Sequence, residues 1–294
     1  MVFPEILEMA LPVFGITVLL ELAISRYRSS VHYETRDTLA SLTMGVGNVL
    51  VGGALATYVY HVYTAVYAYR IFDIGYAWWA LPLCFFVEDL AFYWFHRVSH
   101  ETRWFWASHV VHHSSQHYNL STALRQTWTS TIACSFIFHL PLLWLGFPPL
   151  MVFFFQEVSL VYQYWIHTEA IDRMPRWFEA ILNTPSHHRV HHATNPRYLD
   201  ANYAGVLIVW DRIFGSFVPE RATDAPQYGI VNNLDTYNPL RIAFHEWAAI
   251  ARDLRRARSP REVVGYLFGA PGWSPDGSRR TTAAIKTEWR AKRP

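Results

Sequence analysis

Apolar positions in this chain are gathered into long blocks. Four blocks stand out, and they cover residues 3–25, 38–69, 77–95 and 127–166. The second block contains no Asp, Glu, Lys or Arg, and the fourth carries only Glu157. About 20 apolar residues span the hydrocarbon core of a bilayer. The pattern therefore predicts four or five transmembrane helices, with the last block forming a hairpin that is broken at residues 145–149.

The ends of these blocks predict how the chain lies in the membrane. Residues 1–5 lack the basic start of a secretory signal, so the first block is expected to remain as a helix. All but one of the 25 basic residues lie in segments 26–37, 96–126 and 167–294, and the exception is Arg70. By the positive-inside rule, these three segments are expected to face the cytoplasm.

Composition adds a fold class and a division of the chain. The residues are 52% hydrophobic and 17% aromatic, with a formal net charge of +2. We expect an all-α integral membrane protein in three parts: transmembrane helices over 1–166, a cytoplasmic helical cap over 167–247 and a basic tail over 248–294. A basic segment beside membrane helices is expected to contact anionic lipid headgroups, so no nucleic acid is predicted as a partner.

Histidine supplies the candidate chemistry. Eight of the fifteen histidines form three clusters: His96 and His100; His109, His112 and His113; and His188, His191 and His192. Spacings of three and four bring side chains onto one face of a helix. Imidazole ligates iron, zinc, copper and nickel, and three clusters exceed the ligand capacity of one ion. The sequence therefore predicts a centre of two metal ions, held by a cap against the helix ends.

Other residues narrow the kind of site. No H-E-x-x-H motif is present, which disfavours zinc-protease chemistry. The two cysteines, Cys84 and Cys134, lie in apolar blocks, which disfavours thiolate metal sites and a disulfide framework. Asp89 shares a helical stripe with His96 and His100, where it either orients a ligand histidine or bonds another helix. A metal pair at the membrane surface, backed by an apolar interior, indicates a lipid substrate.

Several stretches resemble the fatty acid hydroxylase superfamily, also called the sterol desaturase family, of integral-membrane di-iron oxygenases. The resemblance covers residues 81–217, including Glu88-Asp89 before the first cluster, residues 109–119, residues 188–192, residues 202–205 and residues 210–217. Residues 118–126, 162–169 and 182–192 are further similar to a branch of the family that cleaves ether lipids with tetrahydrobiopterin.

The resemblance implies a ligand set and a reaction. The eight clustered histidines would bind two iron ions, His167 and His187 would be further ligands, and Glu101 would be an essential acidic residue. Reduced iron would use O2 to hydroxylate an unactivated carbon of the lipid. The chain has no His-Pro-Gly-Gly haem segment, cysteine cluster or G-x-G-x-x-G fingerprint, so a separate electron donor is expected, with tetrahydrobiopterin as a candidate.

Two alternatives stay open at this point. A desaturase of the same superfamily would remove two hydrogens from its product instead of adding oxygen. A membrane metal-binding protein without redox chemistry is the other. Transport, however, favours ionisable residues distributed across the bilayer, whereas these clusters are expected on one side.

Overall fold

The computed structural model describes residues 3–28 and 31–292, and helices make up the regular structure of these residues. Beside the helices lie three isolated β-bridges, and none of the described residues belongs to a longer strand. In chain order, the α-helices are α1 (Ile6–Arg28), α2 (Thr35–Tyr67), α3 (Ala80–Glu101), α4 (Arg103–His113), α5 (Leu120–Ala123), α6 (Leu140–Leu145), α7 (Pro149–Trp165), α8 (Arg176–Ile181), α9 (Pro185–His191), α10 (Val209–Ile213), α11 (Pro239–Leu254), α12 (Pro260–Phe268) and α13 (Thr282–Ala291). A 3₁₀ helix precedes α6 at Ser135–His139.

Helices α1 and α2 are long and apolar enough to cross a membrane. Only 22% and 17% of the residues in their most apolar windows are buried, so most of their side chains face outward. Leu19 of α1 and Leu50 of α2, for example, are both about two-thirds exposed. A core helix of a soluble protein would bury this surface, because apolar area in contact with water is unfavourable.

The third and fourth apolar blocks fold into shorter pieces. Helix α3 continues from the apolar block into the first histidine cluster, and the fourth block contains the 3₁₀ helix, α6 and the 17-residue α7. The predicted break in the fourth block is confirmed, because α6 ends at Leu145 and α7 begins at Pro149. Between them Gly146 has a φ of +117°, where a side chain would also meet the backbone of Phe72. Among the described helices, α1 and α2 alone meet the length and hydropathy expected of a span.

The apolar halves of α2, α3, α6 and α7 pack into one core. Its fully buried members include Tyr63, Cys84, Leu143 and Met151. Helix α1 packs against α7, while the end of α3 packs against α4. The core thereby fixes the C-terminal end of α3, where the histidines begin.

The C-terminal part of the chain is docked on α4. Helix α11 runs across the boundary expected between residues 247 and 248. Its apolar face buries Ile242, Ala243 and Ile250. Arg103 at the start of α4 donates to Glu246 at 2.6 Å and to Asp253 at 2.7 Å, both on α11. The segment interpreted as a basic tail therefore includes helices that pack on the histidine-bearing part.

Candidate metal centre

The fold gathers nine of the ten histidines predicted as ligands into two groups. The first histidine group contains His96, His100, His109, His113 and His191, and the second contains His112, His167, His188 and His192. Within each group, one ring nitrogen from every histidine lies within 4.8 Å of the others. His109 is partly buried and the other eight are buried. The two groups touch, because His113 stacks on His192 with ring centroids 4.4 Å apart.

Each group draws on several elements. Helix α3 supplies His96 and His100 one turn apart, and His167 follows the end of α7. Successive helical residues point about 100° apart. Adjacent histidines therefore diverge: His112 joins the second group while His113 joins the first. His191 and His192, at the end of α9, divide in the same way. The H-x-x-H-H spacing thus serves two sites at once.

Backbone carbonyls fix the protonation of four rings. The Nδ1 atoms of His96 and His191 donate to the carbonyl oxygens of Tyr203 and Ala201, at 2.7 and 2.9 Å. In the second group, His167 Nδ1 donates to the Gln163 carbonyl at 2.7 Å and His112 Nδ1 donates to the Arg125 carbonyl at 3.3 Å. A carbonyl only accepts, so Nδ1 carries the proton of each neutral ring and Nε2 keeps a lone pair.

This protonation fits a metal ion in each group. The Nε2 atoms of His112 and His167 lie 3.1 Å apart, although both are acceptors and cannot hydrogen-bond each other. Buried lone pairs directed at one another are stabilised by a cation between them. In the first group, the buried Nε2 atoms of His100 and His191 have no hydrogen-bond partner among the described residues. An all-imidazole donor set suits divalent transition metals.

Burial keeps the rings of the second group neutral. It lowers the pKa of His112 to about 4, and it lowers the pKa values of His188 and His192 well below the usual range. Desolvation disfavours the charged imidazolium, and the neighbouring imidazoles add repulsion. Because a ligand imidazole must be unprotonated, these rings are ready to bind metal at neutral pH.

One loop, residues 200–206, orients much of the first group. Besides the carbonyls of Ala201 and Tyr203, it contributes the Asp200 carboxylate, which lies 3.5 Å from His100 Nδ1. Asp200 and Asn202 both have left-handed backbones, with φ of +47° and +56°, a conformation that Asp and Asn tolerate better than most residues. The sequence analysis did not single out Asp200. The signal that could have found it is the pair of turn-forming polar residues, Asp200 and Asn202, at the stretch 202–205 that resembles the family.

Asp89 holds that loop in place. Its carboxylate accepts from the backbone N–H groups of Val206 and Leu207 at 2.8 and 3.0 Å, and from the indole of Trp210 on α10 at 2.9 Å. Of the two roles expected for it, these contacts correspond to a bond with another helix and not to a bond with a ligand histidine. The loop lies close to Asp89, since a Cβ atom added at Gly205 would lie 3.2 Å from the Asp89 carboxylate. Asp89 therefore acts on the first group through the loop.

Two other predicted site residues lie outside the groups. His187 packs edge-on against Phe217, and its Nδ1 is buried without a hydrogen-bond partner among the described residues, so its position does not match the expectation that it ligates metal. Burial lowers its pKa to about 4. Glu101 is exposed and accepts from Arg97 Nε at 2.9 Å, one turn earlier on α3. His187 therefore lies outside both histidine groups, and Glu101, predicted as an essential acidic residue and not as a ligand, lies at the surface.

Comparison with known proteins agrees with this geometry. A family model for fatty acid hydroxylases matches residues 81–216, which include every member of both histidine groups. The chain is 37% identical over 281 residues to an alkylglycerol monooxygenase of Xenopus tropicalis and 38% identical over 279 residues to that of Homo sapiens, covering 94% of this chain in each case. An ornithine lipid hydroxylase of Rhizobium tropici is 26% identical over 131 residues, which cover 45% of this chain and 39% of that protein.

This chain spans 61% and 62% of the length of those two monooxygenases. No solved structure matches it. On these matches, residues 81–216 form a fatty acid hydroxylase domain, and the chain as a whole is similar to alkylglycerol monooxygenases.

Proposed function

We propose that the chain is a membrane di-iron monooxygenase that uses O2 to hydroxylate a lipid of the alkylglycerol ether class. One observation carries the proposal: two touching groups of imidazoles, five and four in number and all but one of them buried, converge their ring nitrogens. The names of the relatives supply the lipid class and the reaction type.

The chain's residues have separate tasks in this reaction. Two iron ions, when bound by the two histidine groups, supply the activation of O2 and the oxidation of a C–H bond. The carbonyls of Ala201 and Tyr203 and the Asp200 carboxylate hold the rings of the first group. Such outer partners fix ring orientation and raise ligand basicity. Electrons come from a separate donor, with tetrahydrobiopterin as the candidate.

We place the histidine groups at the cytoplasmic face of a membrane. Helices α1, α2 and α3 and the α6–α7 hairpin would be the membrane-embedded elements, giving four or five passes. Helix α3 carries its apolar half into the core and its two histidines at the C-terminal end. The carbon to be oxidised would therefore reach the metals from the bilayer side, and the cap over 167–247 would cover the histidine groups on the other side.

The relatives favour hydroxylation over desaturation, since their names give a monooxygenase and a lipid hydroxylase. A transporter or metal sensor without redox chemistry has less support, because both groups meet at one end of α3.

The test combines metal analysis with turnover. Purified full-length protein in detergent, reconstituted with ferrous iron, should hold about two ions per chain. It should consume O2 when given alkylglycerol and tetrahydrobiopterin, and the product should gain oxygen by mass. Imidazole sites discriminate weakly between divalent metals, so reconstitution with iron corrects for zinc taken up during purification. A carefully prepared protein that holds no metal, or a product that loses two hydrogens, would overturn the proposal.

A further inference from the structure

A water-facing cavity of about 410 Å³ reaches the histidine centre. At its inner end it is lined by His100, His113, His191 and His192. Its other walls come from residues 103–110, 193–200, 229–234, 245–256 and 271–285. None of the described residues of α1, α2 or α7 lines it, so it approaches the centre from a different side than the apolar helices.

The wall opposite the histidines is built by the C-terminal segment and is basic. The cavity is lined by five arginines and three carboxylates, namely Arg103, Arg252, Arg256, Arg279 and Arg280 against Asp200, Glu246 and Asp253. The carboxylates are engaged: Glu246 and Asp253 bind Arg103, Asp253 also accepts from Arg279 at 2.6 Å, and Asp200 lies beside His100. Little negative charge remains to neutralise the other arginines.

Two of these arginines are free for a ligand. Arg252 lies in the last turn of α11 and Arg256 lies two residues beyond its end. Both are exposed, and neither has an ion pair with any of the described residues. Both side chains line the cavity. Guanidinium groups pair with phosphate through two parallel hydrogen bonds, and a basic cavity raises the local concentration of anions.

Resting on the proposed function, we propose that this cavity binds the phosphate of the ligand oxidised at the histidine centre, through Arg252 and Arg256. The volume lies in the range of small-molecule sites, about 300–1,000 Å³, and suits a polar headgroup. The reacting carbon would then lie at the inner, histidine end and the alkyl chain would leave toward the apolar helices. The preferred substrate within the alkylglycerol ether class would be a phosphate-bearing ether lipid, which would bind more tightly than neutral alkylglycerol.

Binding to the metal-loaded full-length protein in detergent tests this without turnover. Calorimetric titration would compare alkylglycerol, the same alkylglycerol carrying a 3-phosphate, and water-soluble glycerol 3-phosphate. Loss of one charge-assisted hydrogen bond corresponds to about tenfold in affinity. We therefore expect Arg252→Gln and Arg256→Gln each to weaken the phosphate lipid about tenfold while leaving the neutral lipid unchanged.

Arg255→Gln is the matched control, because Arg255 is exposed on the same helix end but does not line the cavity. Metal content equal to the parent's verifies that each variant is folded. Arginine-dependent binding of the phosphate lipid alone supports a lipid headgroup, and equally tight, arginine-dependent binding of glycerol 3-phosphate supports a soluble phosphate ligand. Equal affinity of the parent for both lipids, or an Arg255→Gln loss as large as the others, would overturn the inference.

The two proposals fail separately. A parent that binds the phosphate lipid through these arginines but oxidises no lipid would refute the proposed function alone. A parent that oxidises neutral alkylglycerol and has no arginine-dependent preference for phosphate would refute only the inference.

Discussion

The Asp200 carboxylate lies 3.5 Å from the Nδ1 of His100, although 100 residues separate them in the chain. Asp200 reaches this position through a left-handed backbone with φ of +47°. The His100 Nε2 is left buried and without a hydrogen-bond partner among the described residues, directed into the first histidine group. A carboxylate beside one ring nitrogen of a histidine commonly orients the other ring nitrogen toward a metal ion.

Asp200→Asn should weaken metal binding in the first group. Asn tolerates the left-handed backbone but lacks the charge, and loss of such an outer partner costs about 10- to 100-fold in metal affinity. Chelator competition followed by metal analysis measures it. Asp235→Asn is the control, since Asp235 is exposed and also has φ of +47°. Equal metal retention in both variants would argue against the orienting role.

His167→Ala should remove one ligand from the second group and lower the metal content from about two ions toward one per chain. His187→Ala should retain both ions, because His187 packs on Phe217 outside the groups. Elemental analysis of the two variants, prepared in parallel, distinguishes them. Loss of metal in His187→Ala with retention in His167→Ala would reverse the assignment.

Glu101→Ala should reduce turnover while leaving metal content and stability near those of the parent. Its ion pair with Arg97 is exposed, and such pairs contribute less than about 1 kcal/mol. The family resemblance assigns Glu101 an essential role, and positioned acid–base groups contribute about 10²- to 10⁴-fold to rate. The measurement is the rate of lipid oxidation per bound metal.

Asp73→Ala is the control for Glu101, since Asp73 forms a comparable exposed pair with Arg70 at 2.9 Å. Glu179 would serve less well, because its carboxylate accepts from Ser186 at 2.7 Å beside the third cluster. Full turnover by Glu101→Ala would mean that Glu101 has no role in the reaction and is only a charged residue at the surface.

Asp253→Asn should loosen the docked C-terminal segment in a pH-dependent way. Hydrogen bonds from Arg279 and then from Arg103 lower the pKa of Asp253 to about 2. A lowered folded-state pKa stabilises the fold above the unfolded value of about 3.9, and this contribution disappears as the pH falls through 2. The free energy of unfolding of the parent should therefore be larger than that of the variant by about 2 kcal/mol at neutral pH.

Thermal unfolding in detergent between pH 2 and pH 7 measures this difference. The difference in stability between the two proteins should be largest at neutral pH and should disappear as the Asp253 carboxyl becomes protonated. A gap that stays constant down to pH 2 would mean that the substitution perturbs packing and that the charge is not the cause.

Local patterns in the sequence determined the elements of the site. Apolar runs specified α1 and α2, the Gly-Phe-Pro-Pro stretch specified the break before α7, and Pro185 specified the start of α9 at its first turn. A spacing of four placed the histidine pairs 96/100, 109/113 and 188/192 in common groups. These features depend on residues close in the chain, so periodicity and backbone preference suffice to read them.

Only the tertiary structure decided how those elements combine. The inclusion of His167 and the exclusion of His187 depend on which helix faces meet. The hydrogen bonds from residues 206 and 207 to Asp89 and the packing of α11 on α4 join segments more than 100 residues apart. No local pattern encodes such contacts, because their free energy arises from burial and hydrogen bonding that exist only once the chain is packed.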